Sequence, residues 1–174
     1  MAKITQIKNE VNNKRVWISP WFVEVLCYYI YETMEANGIN NYNSTLQDFY
    51  EDIDWNAHGK IGLGIDGVGI YFEVALLVNE TDKNTVIEIF NQTKINIAAI
   101  GDEISVTQLE QHESEKFYDW QIVPWALPIK TSSLINLLDI MILLLDDDKE
   151  FHLQGSSISF VGWERVDGTG SKYV

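Results

Sequence analysis

Residues 62–67, Gly62-Leu63-Gly64-Ile65-Asp66-Gly67, spell G-x-G-x-x-G, the spacing that lets a backbone cradle a dinucleotide pyrophosphate. That chemistry needs a strand before the glycines and a helix after them. Here the loop-like Trp55-Asn56-Ala57-His58-Gly59 precedes, and the β-forming Val68-Gly69-Ile70-Tyr71-Phe72-Glu73-Val74 follows. The glycines are therefore expected to serve a turn and close strand packing. Asp52-x-Asp54-x-Asn56 opens like a calcium loop, yet positions six and twelve hold Ala57 and Leu63 instead of glycine and glutamate. A solvated acidic turn is expected there. In Gly168-Thr169-Gly170-Ser171-Lys172 the lysine follows the serine and no helix can follow, so this stretch is read as a frayed terminus and not as a phosphate loop.

The histidines, His58, His112 and His152, share no helical ligand spacing, and the single Cys27 cannot complete a thiolate zinc site. His112-Glu113 has Lys116 where H-E-x-x-H needs its second histidine. No metal and no cofactor are expected. Cys27 lies between Leu26 and Tyr28 in a helical stretch, the setting of a small buried hydrophobe more than of a nucleophile. With 26 acidic residues an acid–base pair can always be nominated, so nominating one carries little information. No catalytic residue is assigned.

Acidity is the dominant feature. Twelve basic residues against 26 acidic ones leave a formal charge of −14. That field disfavours a phosphate backbone, so no direct nucleic-acid partner is expected. The charge is also unevenly placed. Lys3, Lys8, Lys14 and Arg15 face only Glu10 in the first 15 residues, whereas residues 16–59 hold no lysine or arginine and carry Glu24, Glu32, Glu35, Asp48, Glu51, Asp52 and Asp54. The most apolar run, Leu134 to Leu145, would span about 18 Å as a helix, too short for a bilayer. No signal-peptide pattern follows Met1, and the N-x-S/T triplets at Asn43, Asn79 and Asn91 read as chance in an asparagine-rich chain. A cytoplasmic protein without membrane contact is expected.

The elements that position these residues follow from local signals. Apolar Arg15–Ile18 suits a strand. Ser19-Pro20 starts a helix, serine as N-cap and proline at the first position, running to about Ala36 with Gly38 past its end. Ser44-x-x-Gln47 has capping-box spacing and opens a second helix to about Ile53. Residues 60–79 are β-rich around an Asp66-Gly67 hairpin turn. Residues 82–100 suit either helix or strand. Residues 118–128 read as extended because of Pro124 and Pro128. Thr131 or Ser132 caps a buried helix to about Leu145, and the strands Phe151–Leu153 and Ser157–Trp163 complete the set. Asp146-Asp147-Asp148 reads as a solubilising stop after the apolar run. The expected fold is α+β: one domain over residues 1–174, with a mainly antiparallel sheet and three or four helices.

On the first helix, the rows 22/26/29/33 and 23/27/30/34 form the apolar face. The next row is Glu24, Tyr28, Tyr31 and Glu35, with Glu32 beside it. Two tyrosines between carboxylates on a wet face form an interaction stripe, because tyrosine is enriched at interface hot spots. The second helix, with Asp48, Glu51, Asp52, Asp54 and Trp55, extends that surface if the two helices pack side by side. A small acidic α+β chain without a catalytic signature resembles the immunity proteins that protect bacteria from polymorphic and contact-dependent growth-inhibition toxins. The resemblance implies one cognate partner, a basic toxin domain such as a nuclease, bound tightly and neutralised without chemistry. The alternatives are an enzyme using carboxylates near His58 or His152, with the six tryptophans lining its cleft, or a non-catalytic regulatory subunit.

Overall fold

The computed structural model describes residues 5–12, 14–18, 20–59, 69–115, 125 and 127–146. Their order is β1 (Thr5–Asn9), β2 (Arg15–Ile18), α1 (Pro20–Asn37), a 3₁₀ turn (Ile39–Asn41), α2 (Ser44–His58), β3 (Gly69–Phe72), α3 (Val74–Leu77), α4 (Glu80–Ala98), β4 (Glu103–Ile104), α5 (Val106–Ser114), β5 (Ile129–Lys130) and α6 (Thr131–Leu145). This corrects the expected fold. The described chain is 69% helical, with six α-helices and sheets of only two or three strands, so it is not built on a mainly antiparallel sheet.

The larger sheet has the order β2-β1-β3. β1 pairs antiparallel with β2 and parallel with β3, Ile7 lying opposite both Val16 and Ile70. At Gly69 the backbone of β3 passes close to β1: a Cβ there would stand 2.5 Å from the Gln6 carbonyl oxygen, which restricts the position to glycine. Residues 60–68, with the G-x-G-x-x-G glycines and the Asp66-Gly67 turn, lie outside the described residues. So do the expected serine cap at Ser19, most of the extended stretch 118–128, the strands after residue 150 and the residue 168–172 tail.

Helices α1, α2, α4 and α6 supply most of the core. α1 packs between α2 and α4, and α4 packs in turn on α6. Phe22, Leu26, Ile30 and Met34 of α1 are fully buried, in keeping with their rows on the apolar face, and Gly38 ends the helix at φ +85°. The ambiguous stretch 82–100 is helical as far as Ala98, within α4, whose buried Asp82, Val86, Ile89, Phe90, Thr93 and Ile97 recur at helical spacing. The α1–α4 seam has a polar stitch. Thr93 Oγ1 donates to Thr33 Oγ1 (3.1 Å), and Asn96 Nδ2 donates to the same oxygen (3.0 Å).

Asparagines make the joints. Asn43, and not Ser44, caps α2: its side chain accepts from the Leu46 amide (3.0 Å) and donates to Asp82 on α4 (2.7 Å). Asn79 caps α4 by accepting from the Thr81 and Asp82 amides. Two of the three N-x-S/T triplets thus begin at helix caps, where asparagine followed by serine or threonine has a local reason to occur. Asn9 accepts from the Val11 and Asn12 amides in the β1–β2 turn and donates to the Leu144 carbonyl at the end of α6 (2.8 Å).

Candidate functional site

α2 runs to His58, five residues beyond the expected end, so the Asp52-x-Asp54-x-Asn56 segment is helix and not an acidic turn. Two of its side chains have tasks within the fold. Asp54 pairs with His58 Nδ1 at 2.7 Å across one turn. Asn56 is buried, donates to the Asp52 carbonyl, and meets both backbone polar groups of Gly69, anchoring β3 to α2. Among the described residues, no group of three His, Cys, Asp or Glu side chains is arranged to hold a metal ion.

Helical spacing divides the expected surface residues of α2 between two faces. Asp54 turns towards α1, together with Tyr50 and His58. The Tyr31 ring stacks on Tyr50 (centroids 5.6 Å apart) and meets His58 edge-on at 4.6 Å, while the Tyr50 hydroxyl donates to Glu35. Asp48, Glu51, Asp52 and Trp55 turn outward and are exposed, Trp55 at 50%. The two helices pack side by side, as the surface reading requires.

Row 24/28/31/35 of α1 is less wet than its sequence implies. Glu35 and Glu32 are exposed and Tyr28 and Tyr31 half-buried, but Glu24 is only 3% exposed. α5 covers the start of the row: Glu24, Val25 and Tyr28 line one small pocket with Leu109, His112 and Trp125. The Tyr28 ring stacks on His112 at 3.8 Å, and its hydroxyl donates to Glu115 (3.0 Å). Burial, the Glu115 hydrogen bond and the nearby Glu32 and Glu115 charges hold the Tyr28 hydroxyl well above the ordinary phenol range. Glu24 therefore belongs to the packing of α1 against α5 and offers nothing to a partner at the surface.

Cys27 is fully buried, and burial, with the charges of Glu24 and Asp52, raises its thiol well above the usual range. A thiol held protonated and covered is a poor nucleophile.

The outward face of α2 continues across β3 into α3. Asp48 and Asp52 share a shallow cleft of about 30 Å³ with Glu73, and Phe49, Tyr71 and Leu76 line it as well. Asp52 is raised from the ordinary carboxylate value, first by partial burial and then by the like charges of Glu73, Asp48 and Glu51. None of the side chains of Asp48, Glu51, Asp52 and Glu73 forms a hydrogen bond or ion pair among the described residues. Beside the cleft, Val74 and Val78 of the α3 region are exposed at 54% and 71%.

Sequence reasoning missed Glu73, Tyr71 and Tyr50 as members of this surface, and the buried His58 as the partner of Asp54 behind it. The signal for the α2 pair was present: Asp54 and His58 stand four apart with Gly59 as the stop, which extends the helix by a turn. Nothing local announces Glu73, which reaches this surface through the β1–β3 pairing and the anchoring of β3 to α2 by Asn56.

No protein-family description, no curated protein and no solved structure matches the chain.

Proposed function

We propose that the protein is an inhibitor of the immunity type: it binds a basic partner protein, a toxin domain such as a nuclease, through the outward face of α2 and neutralises it without chemistry. The observation that carries this reading is the set Asp48, Glu51, Asp52 and Glu73, exposed beside Trp55 and lacking a cation among the described residues. Like charges gathered without counter-charges cost stability in the free protein, and an opposite charge on a partner offsets that cost. Trp55 supplies the aromatic anchor that such interfaces concentrate at their centres. Tyr31, Glu32, Glu35 and Asp54 form the rim towards α1, and Tyr28 lies at its far end.

The test is affinity capture from the native source at low ionic strength, about 50 mM, where surface charge is least screened, with bound proteins read by mass spectrometry. One stoichiometric basic protein, whose activity falls when the chain is added back, is the expected result. Capture of nothing at that ionic strength contradicts the reading.

A further inference from the structure

We propose that Asn37 is a self-modification site: the backbone nitrogen of Gly38 converts its side-chain amide to a carboxylate, at a rate set by opening of the last turn of α1, and the product loosens that turn further. The inference is independent of the inhibitor reading. Asn37-Gly38 is the chain's one Asn-Gly pair, and every other asparagine precedes a residue that carries a side chain. A glycine nitrogen, with no Cβ beside it, is the least hindered nucleophile the backbone offers. In the reaction that nitrogen gives its proton to solvent base and bonds to Asn37 Cγ. The Cγ–Nδ2 bond breaks, the side-chain nitrogen leaves as ammonia, and a cyclic succinimide remains. Water opens the ring at either carbonyl, so residue 37 becomes aspartate or isoaspartate. The balance is amide and water in, carboxylate and ammonium out, with nothing oxidised or reduced.

The end of α1 is the gate. Asn37 is exposed, so water and base reach it, and its backbone is helical, which turns the Gly38 nitrogen away from Cγ. Two hydrogen bonds hold that geometry: the Gly38 amide donates to the Glu35 carbonyl (3.0 Å), and Asn41 Nδ2 donates to the Asn37 carbonyl (3.1 Å). The same turn is poorly secured against opening. It contains no basic residue to complement the helix macrodipole, while Glu35 places a carboxylate there. A further carboxylate at residue 37 opposes the macrodipole again. Asn37 also lines one cleft with Glu88 of α4, so the product sets two like charges across it.

The experiment incubates the full chain in warm, mildly alkaline buffer, folded and in urea. Every asparagine is followed over time by peptide mass spectrometry, with aspartate and isoaspartate separated by chromatography. The expected result is product first at Asn37, as both isomers, and faster in urea than in the folded chain. Asn41→Ala, which removes the bond to the Asn37 carbonyl, speeds the folded reaction at Asn37 by about two- to tenfold and leaves Asn91 and Asn96 unchanged. Asn37→Asp, which copies one product, speeds hydrogen exchange of the Ala36 and Gly38 amides by about two- to fivefold. Asn37 intact in the folded chain long after the urea-treated chain has reacted, or intact in both, would overturn the proposal. So would aspartate without isoaspartate, since the succinimide opens both ways. A rate at Asn37 that Asn41→Ala leaves unchanged, or raises equally at all asparagines, removes the gate, and unchanged exchange in Asn37→Asp removes the loosening.

Discussion

Asp52 and Asn43 show at single positions what distinguishes the surface from the scaffold. Asp52 holds its proton more tightly in the folded chain than in the unfolded one, because of partial burial and then the charges of Glu73, Asp48 and Glu51. A carboxyl raised in this way lowers stability as pH rises through and above the carboxylate range. Asp52→Asn should therefore stabilise the protein at pH 7, by only a few tenths of a kcal/mol because solvent and salt screen an exposed cluster. Urea titrations check this, and the gain should vanish below about pH 3.5, where the carboxyl is protonated in both states. A stability loss at pH 7 contradicts the like-charge account. Asn43 works in the opposite sense, since it caps α2 and also donates to the buried Asp82 carboxylate. Asn43→Ala should cost about 2–3 kcal/mol, against about 1 kcal/mol for Asn79→Ala, which removes a cap alone. Equal losses in thermal or urea unfolding would show that the Asp82 contact contributes nothing.

At the scale of elements, what the sequence shows and hides has identifiable causes. Pro20 and Gly38 bracket α1, and the apolar run from Leu134 gives α6, because proline, positive-φ glycine and a long buried stripe are strong local signals. β1 is hidden: its inward residues are Thr5, Ile7 and Asn9, so the buried face alternates without looking apolar. Asn9 belongs inside because its amide reaches the Leu144 carbonyl. α6 does run up to Asp146, and a side-chain donor from β1 satisfies a terminal carbonyl that no basic residue of the last turn reaches. α5 and the last turn of α2 were overlooked for a related reason, as polar segments whose helicity depends on packing against α1. The unrecognised α5 is also what buries Glu24. Asn9→Ala should destabilise the fold by about 1–3 kcal/mol, since it leaves a buried carbonyl unmet. Its signature is local: hydrogen-exchange protection should fall most in the last turn of α6 and the β1–β2 turn, and a uniform loss would contradict this joint.

For the whole molecule, the net charge of −14 matters less than its distribution. The α2 block was legible in the sequence as a stretch without lysine or arginine. Its extension by Glu73 was not, because long-range contacts, the pairing of β3 with β1 and the bonds of Asn56 to Gly69, carry that residue to the same side. A field of this kind steers an oppositely charged partner, so association should slow by about tenfold or more between 50 and 500 mM salt while dissociation changes less. Stopped-flow mixing with the captured partner measures both rates, and a salt-independent association rate would count against an electrostatic interface. The most direct test of the central claim is capture from the native source with paired baits, the native chain and a folded Asp48→Lys, Glu51→Lys, Asp52→Lys variant. The account predicts one basic protein retained by the native chain and lost from the variant. The same protein held equally by both would contradict it, and the outward face of α2 would no longer be the binding surface.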